Sequence, residues 1–158
     1  KKTNKEAGNL LFISADGQTE YDGPLKYIKN RGNSSTTFKK KNYQIKLIKG
    51  ANLAGMGKSK TWVLTGNSRD KSLLRNQITL DMAQYVGLQY TPEHLFAELY
   101  INHEYMGFYL FGEKPMIDDD RVAITENTRR LAQKQLSLEN SRQMLSQTIP
   151  TILPAVIW

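Results

Sequence analysis

Short runs of strand-forming residues, each closed by Gly, Asn, Asp or Pro, recur from Gly8 to Phe111, and a single stretch of helical period interrupts them. The order that results is several strands, one helix and then a hairpin. Residues 8–14 (GNLLFIS) read as a buried strand ending at Asp16-Gly17, and Asp22-Gly23-Pro24 reads as a second turn. In Asn42–Ile48, Tyr43, Ile45 and Leu47 fall on one face while Gln44 and Lys46 project from the other. Ala51–Ser59 is rich in Gly and Lys and reads as a loop, and Thr61–Thr65 as a further strand.

The helical segment runs from about Lys71 to Val86, with Leu74, Ile78, Met82 or Ala83, and Tyr85 or Val86 spaced for one apolar face, Asp70 or Ser72 placed to cap it and Gly87 to stop it. Leu95–Ile101 and Tyr105–Phe111, separated by Asn102-His103-Glu104, predict an antiparallel hairpin. After Gly112 the connector GEKPMIDDDR discourages regular structure. Beyond about Thr125 the chain turns rich in Gln, Arg and Ser, with Leu131, Leu138 and Leu145 permitting a helix with a thin apolar seam. The domain reading is therefore 8–124 as one lobe and 125–158 as a helical or irregular tail.

The chain has 158 residues, enough for one domain or one lobe. Its formal net charge of +7 and pI near 9.5 favour phosphate, nucleic acid or acidic protein as partners without choosing among them. Nucleic acid has charge in its favour but no recognisable motif, so no specific nucleic-acid partner is expected. No cysteine is present, which removes disulfides, thiolate metal sites and cysteine nucleophiles. The apolar close from Ile149 to Trp158 is broken by Pro150 and Pro154 and falls short of the ~20 residues of a membrane span. The opening Lys1-Lys2 suggests a processed or excised piece.

Several polar residues stand out. Arg31-Gly32-Asn33-Ser34-Ser35 predicts a loop with exposed amides, hydroxyls and a cation, suited to phosphate or to an ordinary polar turn. Asn67, Asp70, Arg75 and Asn76 lie at a strand-to-helix junction, where capping and anion binding are both open readings. Glu98 and Asn102 share a strand face, and Glu98 could serve a lysine or Arg75. Adjacent Asp118, Asp119 and Asp120 point in different directions and read as a solvated loop, and His94 and His103 read as surface residues, so no metal site is expected.

Four motifs occur in order: RGNSS at 31–35, KKNYQIKL at 40–47, KTWVLTGNSRDKSLLRN at 60–76 and AELYINHEYMGFYLFGEK at 97–114. Together they resemble the CotH kinase family, the spore coat protein H-like atypical protein kinases, over most of residues 22–122. The resemblance implies an α+β, protein-kinase-like amino-terminal lobe with a mostly antiparallel sheet and one packed helix, followed here by a helical or irregular tail, 125–158, that does not match the family.

It also implies an ATP and phosphate site drawn from Arg31, Asn33, Ser34, Ser35, Lys40 and Lys46. Lys46 stands where a kinase-like fold puts its phosphate-contacting lysine, with Lys40 as the reserve. Glu113 and Lys114 mark the hinge that would hold adenine, and Asn67, Asp70, Arg75 and Glu98 are supporting residues. The family's catalytic aspartate and metal ligands are expected after the connector. Residues 125–158 hold only Glu126 and Glu139 as acids, so no catalytic residue is assigned.

The resemblance thus implies a truncated kinase whose full-length form uses ATP with Mg2+ or Mn2+ to phosphorylate serine in secreted or spore-coat proteins, located extracellularly, at the cell surface or in the spore coat. The expected partners are nucleotide and a coat- or surface-type protein substrate, with self-association through exposed lobe surface. The alternative is a noncatalytic coat or cell-surface interaction domain with a basic binding face.

Overall fold

The computed structural model describes residues 4–117 and 121–123. The chain divides into a unit spanning Lys1–Val122 and a second from Ala123 to Trp158; Asp118–Asp120 and the tail from residue 124 onward lie outside the described residues. The first unit is a six-stranded antiparallel sheet in the order β1-β2-β3-β4-β6-β5, built from β1 (Lys5–Ile13), β2 (Thr19–Arg31), β3 (Asn42–Asn52), β4 (Lys58–Thr65), β5 (His94–Ile101) and β6 (Glu104–Glu113). Helix α1 (Arg75–Tyr85) joins β4 to β5, and a 3-10 turn at Ser34–Thr37 joins β2 to β3.

The alternation in β3 is realised as read: Ile45 and Leu47 are buried among Leu25, Leu53, Met56, Trp62, Leu64, Tyr109 and Phe111. Phe12 on β1 meets Phe111 on β6, with ring centroids 5.1 Å apart. These strands stand four spacings apart in the sheet, roughly 19 Å if it were flat, so the sheet curls until its first strand approaches its fifth. Register shifts between Glu6 and Gly8, between Leu25 and Tyr27, and between Lys46 and Ala51 supply bulges that sharpen the twist.

Four expectations need correction. Residues 8–13 form an edge strand, with Leu10 and Phe12 turned inward and Leu11 and Ile13 more than half exposed. Asp22-Gly23-Pro24 is not a turn but part of β2, paired with Leu11, Leu10 and Asn9. Pairing of β2 with β3 begins only at Leu25, so the missing N–H of Pro24 falls where one side of the strand is open. The Ala51–Ser59 loop shrinks to residues 53–57, and it sends Leu53 and Met56 into the core.

The fourth correction concerns the helix. It starts at Arg75, later than read, and it is not packed: none of its residues is buried, and Ile78 and Met82 are 51% and 61% exposed. Residues 70–74 instead form a capping turn. The hairpin expectation holds, because Asn102 and His103 both take positive φ, 50° and 67°, the geometry a two-residue connection needs to match strand twist.

Candidate functional site

Lysine and arginine reach the surface at the end of β2 because Tyr27, Lys29 and Arg31 share the face opposite the core. Their partners Lys46, Gln44 and Asn42 on β3 share it too. The chain then breaks at Gly32, whose φ of +100° suits glycine and where a Cβ would lie 1.9 Å from the Ser35 hydroxyl. Ser35 Oγ donates to the Arg31 carbonyl at 3.2 Å, Thr36 Oγ1 to that of Asn33 at 2.7 Å and Thr37 Oγ1 to that of Ser34 at 2.7 Å. The hydroxyls of Ser35, Thr36 and Thr37 therefore close their own turn, while Ser34 is exposed.

This corner opens a cleft of 310 Å³ lined by Lys29, Asn30, Arg31, Gly32 and Asn33. Arg31 is half-buried, and burial lowers its pKa from the ordinary value. No acidic side chain pairs with it among the described residues. A partly desolvated guanidinium without a carboxylate, on the wall of a concave surface, is suited to an oxyanion.

Lys46 shares the face of Arg31 but not the cleft. It sits opposite Tyr27, four residues back along β2 and roughly 13 Å from Arg31. Lys40 is occupied elsewhere: its Nζ donates to the Phe108 carbonyl and lies 4.8 Å from the Tyr109 ring centroid, and burial lowers its pKa. The same enclosure pushes the Tyr109 phenol up to about 12, through desolvation first and neighbouring Tyr43 second. Lys40 thus ties the chain entering β3 to β6.

The strand-to-helix residues form a capping network. Asp70 Oδ1 accepts from the Ser72 hydroxyl at 2.7 Å and the Ser72 amide at 3.1 Å, and Oδ2 accepts from the Arg75 amide at 2.9 Å. These bonds, led by that from the Ser72 hydroxyl, lower the Asp70 pKa. Asn67 Nδ2 donates to the Leu73 carbonyl at 3.0 Å, and Asn76 Nδ2 donates to Asn67 Oδ1 at 2.6 Å. The Arg75 side chain is 83% exposed, with its Nε 3.7 Å from Asp70. Glu98 accepts from the Tyr105 hydroxyl at 3.3 Å, while β4 and β6 separate its strand from that of Lys46.

At the end of β6, the Glu113 amide donates to the Glu93 carbonyl at 3.0 Å, and its carboxylate accepts from the Glu93 amide at 3.0 Å and pairs with Arg121. Arg121 also donates to the Met56 carbonyl at 2.5 Å and lies 4.7 Å from the Trp62 ring centroid. Lys114 follows directly. The hinge markers thus include a buried ion pair, beside a second cleft of 300 Å³ lined by Gly55, Met56, Gly57, Thr91, Glu93, Glu113 and Arg121.

His94 departs from its surface expectation. Its side chain is 4% exposed, and its ring nitrogens face Asp81 and the Pro92 carbonyl, each at 3.1 Å. Among the described residues no group of three His, Cys, Asp or Glu could hold a metal ion. Sequence reasoning missed Lys29 and Arg121. Lys29 is recoverable, since it stands two residues before Arg31 and so falls on the same face of an extended strand, whereas nothing local marks Arg121 as a buried partner of Glu113.

An antiparallel sheet carries, at a glycine-broken corner, a cation that no acidic side chain pairs among the described residues. The family profile described as CotH kinase protein matches residues 28–148, most of the chain, and the chain belongs to that family. The match begins within β2, takes in the RGNSS corner and continues past residue 123. No curated protein and no solved structure matches the chain.

Proposed function

We propose that this lobe holds the phosphates of a nucleotide in the cleft at the end of β2, with Arg31 as the principal cation and Lys29 and Asn33 beside it. The observation that carries the reading is the half-buried, acid-free Arg31 guanidinium on the cleft wall. Phosphoryl transfer depends on positioning and electrostatic stabilisation, which makes such a cation useful to a CotH-type kinase. Membership of the family supports nucleotide and divalent metal use in general.

The finer reading is ATP-dependent phosphorylation of serine in a secreted or coat protein by the complete enzyme. The described residues fit the phosphate part of that task. They offer no ligand set for Mg2+ or Mn2+, so no catalytic step is assigned to them. One departure from ordinary kinases is informative: α1 contains no glutamate to pair with a phosphate-binding lysine, and its single acid, Asp81, faces His94.

Calorimetric titration of the chain with ATP tests the reading. Arg31→Ala weakens binding by about tenfold, the value of one charge-assisted contact. Unchanged affinity in that variant, or no binding by the parent chain, overturns it.

A further inference from the structure

Next to the Arg31 cleft, with which they share Lys29, three lysines surround one tyrosine on the outer face of the sheet. Lys5 on edge strand β1 stands directly opposite Lys29 on β2, and their ammonium groups lie 5.1 and 5.7 Å from the Tyr27 ring centroid. Lys46 on β3 stands directly opposite Tyr27. None of the three has an acidic partner among the described residues. Like charges directly opposite across a strand pair oppose folding, and contact with an aromatic ring leaves their charge in place. A lysine on a sheet edge can serve to deter edge pairing, which would account for Lys5 but not for Lys29 and Lys46 on inner strands.

From this arrangement we infer that the Lys5, Lys29 and Lys46 face around Tyr27 is a docking surface for an extended acidic peptide segment of a partner protein. Charge complementarity selects an anionic partner. The lysines are offset by one strand spacing and by two residues along the strand, roughly 5 and 7 Å, the latter the repeat of alternate side chains in an extended chain. A single-stranded nucleic acid would share the charge, but it needs open aromatic faces on which bases stack. Tyr27 is already engaged: two ammonium groups take its ring, and its hydroxyl accepts from Gln44 Nε2 at 3.0 Å.

The test is a fluorescence-anisotropy titration of the full chain with a labelled oligoglutamate peptide, an oligothymidylate of equal charge and, separately, ATP. The oligoglutamate binds at roughly 20 mM salt and weakens steeply toward roughly 200 mM. The double variant Lys5→Gln, Lys46→Gln binds it about five- to tenfold more weakly, and Lys5→Gln alone gives an intermediate loss. ATP affinity stays unchanged in Lys5→Gln, because that residue neither lines the Arg31 cleft nor belongs to the expected phosphate site, so failure of the nucleotide reading would register separately. Absence of oligoglutamate binding at low salt, equal binding by the double variant, or tighter binding of oligothymidylate overturns the inference.

Discussion

Asp70 illustrates how one carboxylate organises a junction. It receives the hydroxyl and amide of Ser72 and the first amide of α1, so its charge is stabilised in the folded chain and its pKa falls below the usual 3.8. A depressed folded-state pKa adds stability that is complete above the unfolded value and is lost as pH falls through the folded one. Asp70→Asn therefore lowers the melting temperature at neutral pH, and the gap between variant and parent closes progressively below about pH 4. A constant gap across the acid limb in a thermal-melt series would contradict the capping role. The sequence marks Asp70 as a cap because the preference is local. Lys40 was not legible in the same way: its partner is a carbonyl 68 residues away, and a Lys-Lys pair looks alike whether it faces phosphate or Phe108.

At the scale of elements, the strands were readable wherever both strand faces leave a trace in the side chains, as in Tyr43 to Leu47. The helix was readable as a helix but not as to its packing, because apolar spacing records which side is apolar and says nothing of what covers it. In the structure Leu74, Ile78, Met82 and Val86 remain between 45% and 63% exposed. Asp22-Gly23-Pro24 misled for a related reason: turn chemistry and a strand paired on one side share the same residues. The β5–β6 connection offers a direct check. Glycine takes the left-handed backbone of His103 without the steric penalty of a side chain, so His103→Gly raises the free energy of unfolding by about 1 kcal/mol in urea titration.

For the whole molecule, the curl that brings Phe12 to Phe111 and the ion pair at the end of β6 meet at one aromatic stack, since Phe111 lies 5.3 Å from Trp62 and Arg121 lies 4.7 Å from the same Trp62 ring. Arg121 and Glu113 are nearly inaccessible, with side chains 1% and 9% exposed. Glu113→Gln takes a buried carboxylate from the Arg121 guanidinium and costs about 1.5–3 kcal/mol, the worth of a charge-assisted bond and a sizeable share of a small domain's stability. Replacing both by apolar residues is far milder, and a double-mutant cycle in chemical denaturation separates the two effects.

The strand order carries a consequence for how the protein is made. β1 to β4 each lie beside their predecessor, so that part of the sheet can zip as the polypeptide leaves the ribosome. β6 alone breaks the sequence by wedging between β4 and β5, and until residues 110–113 emerge the exposed flank of β4 must wait open. Synthesis thus has a vulnerable interval, and it ends when the last hairpin arrives.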